Sequence, residues 1–337
     1  MLCFGRTRTL RRCRREVPRL FCHDHRFQPF FAVASLIAGV GVVAGLYRDV
    51  IEPWWTGHER QPQQAAPGVD QGLASRAKSY AFLAVECPGG GNTHPTGLNN
   101  RQQIVGTCDV GGDPKAFLWD QRTGFTYFEN PEGHRTVPTG INVRGEVVGF
   151  YYVATSEGQR SHGFLRRSDG SILSFDPPSS RETYAHGVND SGAIVGAYLD
   201  SLRIIRGFIR DPRGSFASID APEAASTTPT AINNKGEIAG YFLTTGIGDR
   251  GFIRHADQSF LVLGPDGIQP KSMNDSGALV GLAKVGGFVH LPGRSLEGLE
   301  HPACPGSCTI PTGINERGEI VGQYQLGSRV YGFMASP

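Results

Sequence analysis

The sequence predicts an all-β fold: a six-bladed β-propeller of four-stranded blades, closed by its N-terminal strand and preceded by one transmembrane helix. Three observations lead there. The eleven-residue stretch Gly140 to Phe150 (Gly-Ile-Asn-Val-Arg-Gly-Glu-Val-Val-Gly-Phe) recurs in recognisable form five more times. Aligned on Asn99, Asn142, Asn189, Asn233, Asn274 and Asn315, the copies follow at intervals of 43, 47, 44, 41 and 41 residues, with no helical pattern between them. A fixed period of roughly 40 residues without helices marks a repeated four-stranded unit. Finally, 46 Gly and 22 Pro among 337 residues suit short strands joined by tight turns.

Taken in order, the chain opens on a basic tail, residues 1–29. Residues 1 to 30 hold eight Arg against Glu16 and Asp24, a balance of +6, so the remainder carries −4 within a total of +2. An acidic main domain with all the excess basicity in one tail argues against nucleic acid as a partner, which needs a cationic face on the folded part. From Arg26 to Arg48 there are 21 intervening residues without charge, about 31 Å as a helix and enough to cross a bilayer. Residues 30–47 are therefore expected to span a bacterial cell membrane. The arginines place the N-terminus in the cytoplasm and the rest in the periplasm or outside the cell. The competing reading is a cleaved signal peptide and secretion, but Tyr47-Arg48-Asp49 is bulky and charged where a small-x-small cleavage site would stand. Trp54 and Trp55 suit a headgroup belt, and Gly41 and Gly45 have the spacing of a close helix–helix contact, hence homodimerisation through the span. Residues 48–79, with Gln-Pro-Gln-Gln-Ala-Ala-Pro-Gly and no hydrophobic periodicity, read as a linker.

Residues 80–337 form the repeated domain. In each unit the first strand ends just before the Asn, at Leu98, Ile141, Val188, Ile232, Met273 and Ile314. The second is the Val-Val-Gly-like segment, the third carries Gly-Phe or Ala116-Phe117, and the fourth alternates as in Ser171–Asp176 or Ser215–Asp220. Asn at the start of a type I turn bonds back to the backbone, and Gly at the fourth position accepts positive φ, so Asn-x-x-Gly is a hairpin turn. The first unit has Gln102 in place of that Gly, which predicts a looser turn. The recurrent Gly106, Gly149, Gly196, Gly240, Gly281 and Gly322 predict a close approach of backbone or an aromatic ring. The six Phe are expected to pack between blades, each contributing about 1.5–3 kcal/mol if fully buried. The last unit stops after its third strand, and Tyr80–Pro88 looks like a fourth strand without a unit, so the two should meet and close the ring.

The string Gly-Ile-Asn-x-x-Gly-Glu-Ile-Val-Gly, followed by Gly-Phe-Leu/Ile and a strand ending Asp-x-Pro, resembles the bacterial probable extracellular repeats of the HAF family across Tyr80 to Pro337. The resemblance implies an exported, propeller-like domain. It supplies no catalytic residues.

Candidate site residues come from positions where the copies differ. Arg166, Arg210 and Arg254, with His290 and Trp119, follow the Gly-Phe triplet at one repeat position, and a ring would set them at one height as a partial cationic arc for a carboxylate or anionic sugar. The alternative is a solvated edge. His186 replaces Thr139, Thr230 and Thr312, while His94, His134 and His301 fall in the connections before a repeat. Recurrent Glu146, Glu237 and Glu319 are expected to pair with the turn cations Arg144, Lys235 and Arg317. No histidine pair has zinc spacing, so a metal would have to be drawn from several blades at the channel. Calcium at Asn189-Asp190 or Asn274-Asp275 would need further oxygen ligands. Cys87, Cys108, Cys304 and Cys308 are an even set in an exported domain, with Cys87–Cys108 and Cys304–Cys308 as disulfide candidates among three pairings. No Gly-x-Ser-x-Gly elbow or phosphate loop occurs, and no cofactor is predicted. The leading expectation is a binding or scaffold module for envelope carbohydrate or protein; a hydrolase or lyase with a polar or metal site at the channel, and a purely structural envelope protein, are the alternatives.

Overall fold

In every copy the Asn-initiated turn joins the first two strands of one sheet. The computed structural model describes residues 80–337 except 157, 247 and 265. The tail, the expected span 30–47 with Gly41 and Gly45, and the linker lie outside the described residues. Among the described residues no helix is long and apolar enough to cross a membrane.

The turn chemistry repeats in detail. In the second copy Gly145 N–H donates to the Asn142 carbonyl at 3.0 Å, and the Asn142 Oδ1 accepts from the backbone of Arg144 and Glu146, each at 3.0 Å. The looser turn expected at Gln102 is not found. Gln102 N–H closes on the Asn99 carbonyl at 3.1 Å with φ of 60°, matching the glycine copies. A non-glycine residue there costs on the order of 1 kcal/mol; its side chain offsets this by donating Nε2 to Glu319 Oε1 at 2.6 Å, in the neighbouring blade.

Twenty-four strands form six antiparallel four-stranded sheets among the described residues. Blade 1 holds β2 (Thr93–Leu98), β3 (Ile104–Val110), β4 (Asp113–Asp120) and β5 (Gly124–Phe128). Blade 2 holds β6 (His134–Ile141), β7 (Val147–Thr155), β8 (Gly158–Arg166) and β9 (Ile172–Phe175). Blades 3, 4 and 5 repeat this order from Glu182, Ser226 and Gln269. Blade 6 has three strands of its own, β22 (Thr309–Ile314), β23 (Ile320–Leu326) and β24 (Arg329–Ser336), and takes its fourth from β1 (Ala81–Val85). Ala81 pairs with Ser336 and Val85 with Gly332, so the ring closes as the chain ends suggested.

The recurrent glycines do what their spacing implies, with the partner now identified. A Cβ on Gly149 would lie 2.1 Å from the Val137 carbonyl oxygen and 2.9 Å from the Phe164 ring. The close backbone is thus the first strand of the same blade, and the ring belongs to the third. Phe117, Phe164, Phe208, Phe252, Phe288 and Phe333 are all at most 2% exposed. Each sits in a cluster shared with the preceding blade, as Phe164 does with Val105 and Phe208 with Val148. The hydrophobic effect therefore acts mainly across the seams.

At the axis two rings of polar bonds join the blades. Each Asn of the repeat donates its Nδ2 to the backbone carbonyl of the next: Asn99 to Asn142 at 2.8 Å, Asn142 to Asn189 and Asn189 to Asn233 at 3.1 Å, Asn233 to Asn274 at 3.3 Å, Asn274 to Asn315 at 3.0 Å, and Asn315 back to Asn99 at 3.4 Å. The second ring arises from a β-bulge in every innermost strand, which leaves Thr96, Thr139, His186, Thr230, Lys271 and Thr312 out of the ladder. Thr96, Thr139, Thr230 and Thr312 each donate Oγ1 to a carbonyl of the next blade, at 2.8 to 2.9 Å.

Two substitutions measure these contacts. Gly149→Ala is expected to lower the stability of the full chain by about 3 kcal/mol or more, since backbone and ring both have to move. Asn142→Ala, which strands two turn amides and opens one ring bond, is expected to lower it by roughly 2–4 kcal/mol. Leu202→Ser, at a side chain 75% exposed, is the control, and chemical denaturation reads all three. An Asn142→Ala protein as stable as that control would show that the Asn ring carries no load.

Candidate functional site around the propeller axis

The bulge position is where the copies depart most at the axis. His186 Nδ1 lies 2.7 Å from the Pro229 carbonyl, so it carries the proton and extends the threonine ring by the same bond. Burial, with the charge of Lys271 nearby, pulls its imidazole down to about 4. Lys271, which sequence reasoning passed over, holds this position in the fifth copy, its Nζ 3.4 Å from Gln269 Oε1 and 5.6 Å from the Tyr241 ring centroid. The signal was present: the comparison that singled out His186 also reads Lys271.

His94 lies within β2 rather than in the connection before it, 3% exposed, with Nδ1 2.8 Å from Gln323 Oε1 in blade 6. Burial is the main cause that brings its pKa to about 4, against the upward pull of Gln323 and Asp109. His134 begins β6, and His301 lies in the connection before β22, its ring stacked on Tyr324 at 3.8 Å.

At the mouth on the Asn-turn side, a further chain of bonds runs through the residue after each Asn. Val143 N–H donates to Asp190 Oδ1, Asp190 N–H to Asn234 Oδ1, Asn234 N–H to Asp275 Oδ1, Asp275 N–H to Glu316 Oε1 and Glu316 N–H to Asn100 Oδ1, at 2.6 to 2.9 Å. Asn234 Nδ2 also bridges Asp190 and Asp275, 2.8 Å from each. Burial, then the charges of Asp275 and Asp190, raise the Glu316 carboxyl. Among the described residues no three His, Cys, Asp or Glu side chains are grouped to hold a metal ion.

The positions expected to form a cationic arc do stand at one height, each opposite the first residue of its second strand: Trp119, Arg166, Arg210, Arg254 and His290. They are two strands out from the axis, and Arg166, Arg210 and Trp119 pack into the seams. Arg166 lies over Phe128 at 5.0 Å and Arg210 over Phe175 at 5.1 Å, both rings belonging to the preceding blade. Burial holds both guanidiniums below their usual range. Trp119 packs on the core between blades 6 and 1, and burial lowers His290. The recurrent glutamates close on their own turns: Glu146 with Arg144 at 2.5 Å and Glu319 with Arg317 at 3.0 Å, whereas Glu237 meets His255 at 3.1 Å rather than Lys235.

The opposite face carries the connections between blades. Cys87 is joined to Cys108 there, with Cα atoms 5.9 Å apart, and Cys304 to Cys308 at 6.1 Å. The first bond ties the segment after β1 to blade 1. Beside it the connection Pro88–Asn92 and the hairpin Asp109–Gly112 enclose an open cleft of about 490 Å³.

No family model and no curated protein matches the sequence. Among solved structures, the chain is similar to a gluconolactonase from Xanthomonas campestris, at 13% identity and a TM-score of 0.52, over 80% of this chain and 93% of that one. TolB from Acinetobacter baumannii matches at 14% identity and a TM-score of 0.45, over 77% of this chain and 55% of that one. A luciferin-regenerating enzyme matches at 9% identity and a TM-score of 0.46, over 77% of this chain and 96% of that one. At such identities the likeness is one of fold.

Because folding lowers the His94 pKa, its contribution to stability is complete above about pH 6.5 and is lost as pH falls toward 4. Between about pH 7.5 and pH 4.5 the full chain should lose roughly 2–3 kcal/mol through this side chain. Denaturant midpoints at the two values test it: His94→Gln should flatten that part of the profile, and an equally steep loss in the variant would move the acid sensitivity elsewhere.

Proposed function

We propose that the chain is a membrane-anchored, extracytoplasmic propeller that acts as a binding or scaffold module toward carbohydrate or protein of the bacterial envelope. The observation that carries this reading is how the polar groups at the axis are spent. Among the described residues, the six Asn side chains and the threonines bond to neighbouring blades and the carboxylates at the mouth accept backbone amides, so these groups hold the ring rather than converging as a reactive set. A hydrolase or lyase would need such a set. A cleft on the opposite face, at the seam of blades 6 and 1, is open to solvent.

The placement outside the cytoplasm is supported by the eight arginines before an uncharged run of 21 residues and by the two disulfides, which suit an oxidising compartment. Two measurements bear on the reading. Protease added to intact or outer-membrane-permeabilised cells should digest the propeller, and a propeller protected in spheroplasts would contradict the outward orientation. The purified full chain should be retained by envelope polysaccharide or by a defined envelope protein. Retention of neither would leave only a structural role.

A further inference from the structure

At the seam of blades 6 and 1 this copy lacks a side chain that fills the equivalent connection of blade 2. The connections between blades align through one shared bond. The backbone of Cys87, Asn130 and Ala221 donates to Thr93, Thr136 and Thr227 respectively, each at 2.8 to 3.0 Å. Two residues after the donor stand Gly89, Glu132 and Glu223. In blade 2 that position is filled: Glu132 accepts from the Tyr151 hydroxyl at 2.9 Å and from Ser174 at 2.7 Å, and a Cβ on Gly133 would lie 2.3 Å from the Tyr151 ring. The connection is pressed onto the blade. In blade 1 a Cβ on Gly89, Gly111 or Gly112 would meet nothing within 4 Å. The space is therefore written into the sequence at three positions on two separate segments.

The cleft is also held rigidly. The bond between the buried Cys87 and Cys108 fixes the start of the connection to β3. Asp109 N–H donates to the Asn92 carbonyl at 3.0 Å, Asn92 Nδ2 to Asp109 Oδ2 at 2.8 Å, and Val330 N–H to Asn92 Oδ1 at 2.9 Å. A Cβ on Gly91 would lie 2.0 Å from the Asp109 carbonyl oxygen, so the two walls touch at that end. Few flexible side chains line it, so little conformational freedom is lost on filling it. Its volume of about 490 Å³ falls in the range of small-molecule sites.

The lining selects the ligand class. Pro88 and Val110 are its apolar side chains, and Asp109 is its one ionisable residue. The Asp109 carboxylate faces an anion there, the Arg329 guanidinium 3.6 Å from a Cβ on Gly90 is already paired with Glu86 at 3.0 Å, and an aromatic or lipid ligand would find little apolar surface. A hydroxylated, uncharged ring suits it: hydroxyls donate to the carboxylate and to backbone carbonyls, and the ring face lies along the glycines. Resting on the binding reading above, we propose that this cleft is a saccharide subsite for one or two neutral sugar rings.

The test uses the full chain in nanodiscs, with cellobiose and N,N′-diacetylchitobiose as soluble probes followed by saturation-transfer NMR, and with immobilised envelope polysaccharide. Val110→Trp fills the cleft from a hairpin position 37% exposed, and Leu202→Trp on the blade 3 hairpin, at 75% exposed, is its control. The expected result is saccharide binding that Val110→Trp weakens about tenfold or more, that Asp109→Asn weakens less, and that Leu202→Trp leaves unchanged. Binding unaffected by Val110→Trp would overturn the cleft and leave the binding reading standing. Capture of a defined envelope protein with no saccharide bound would do the same. A wild-type chain that binds neither saccharide nor protein would overturn both.

Discussion

The inter-blade bond from each repeat asparagine to the next is the constraint around which this propeller is arranged. A propeller must fix how far apart its innermost strands lie and how each is rotated against the next, and apolar packing alone tolerates a range of both. The Asn Nδ2 leaves little such range, because the same side chain closes its own turn through Oδ1 and reaches the neighbouring carbonyl through Nδ2. Turn geometry and blade spacing are therefore one quantity. Glu146, Glu237 and Glu319 accept from the same Nδ2 groups at 2.6 to 2.8 Å, which holds the amide orientation. Where the third and fifth copies have Ala193 and Ala278, Ser191 and Ser276 instead donate to the Asn Oδ1 at 2.7 Å. Two sequence solutions thus meet one geometric demand.

The remaining terms follow from that spacing. With the innermost strands fixed, small residues are required where they touch: a Cβ on Gly97 would lie 3.2 Å from the Gly140 Cα. Further out, the Phe of each third strand fills the widening gap between blades, and the Gly opposite it gives the ring room. At the rim a polar pair recurs between the third strand and the end of the fourth: the ion pairs Lys115–Glu129 at 2.6 Å and Arg206–Asp220 at 3.6 Å, and the His162 Nδ1 to Asp176 contact at 2.7 Å. These pairs are partly exposed and contribute on the order of 0–1 kcal/mol each. Specification thus weakens from axis to rim, and sequence variation between the copies widens in step.

Much of this was legible because the chain states it six times. The Asn-x-x-Gly turn, the Gly opposite an aromatic ring, the Phe between blades and the borrowed fourth strand each follow from a residue type at a repeated offset. Two of the readings that failed show identifiable reasons. The turn at Gln102 was expected to loosen because local propensity disfavours positive φ without glycine, yet closure between Asn315 and Asn99 imposes the common shape and Glu319 supplies a partner. His94 was assigned to the connection before its repeat but lies in an innermost strand; the proline after it sits at that strand's bulge, where ladder bonding is already interrupted. The Asn ring itself was not legible, since a turn-forming asparagine and a ring-forming one are the same residue until the strands are placed around an axis. The arginines of the third strand show the converse: equal height was readable from the repeat, but their contact with the preceding blade's phenylalanines depended on seam geometry.

Pseudo-symmetry also decides where recognition can reside. A position repeated in every copy and bonded to its counterpart in the next blade is committed to holding the ring. Changing one member opens its bond to the next blade and, for Asn, its own turn as well, so such positions are poorly placed to acquire a ligand. The seam of blades 6 and 1 is different in kind. It is where separate ends of the folded domain meet, where β1 completes another unit's sheet, and where Cys87–Cys108 ties a connection that in blade 2 is held by Glu132. A covalent tie there frees Gly89 and its neighbours from the packing that Glu132 performs in blade 2. The closing seam can thus be opened to solvent without being loosened, which makes it the place in this fold where a rigid concavity costs the least.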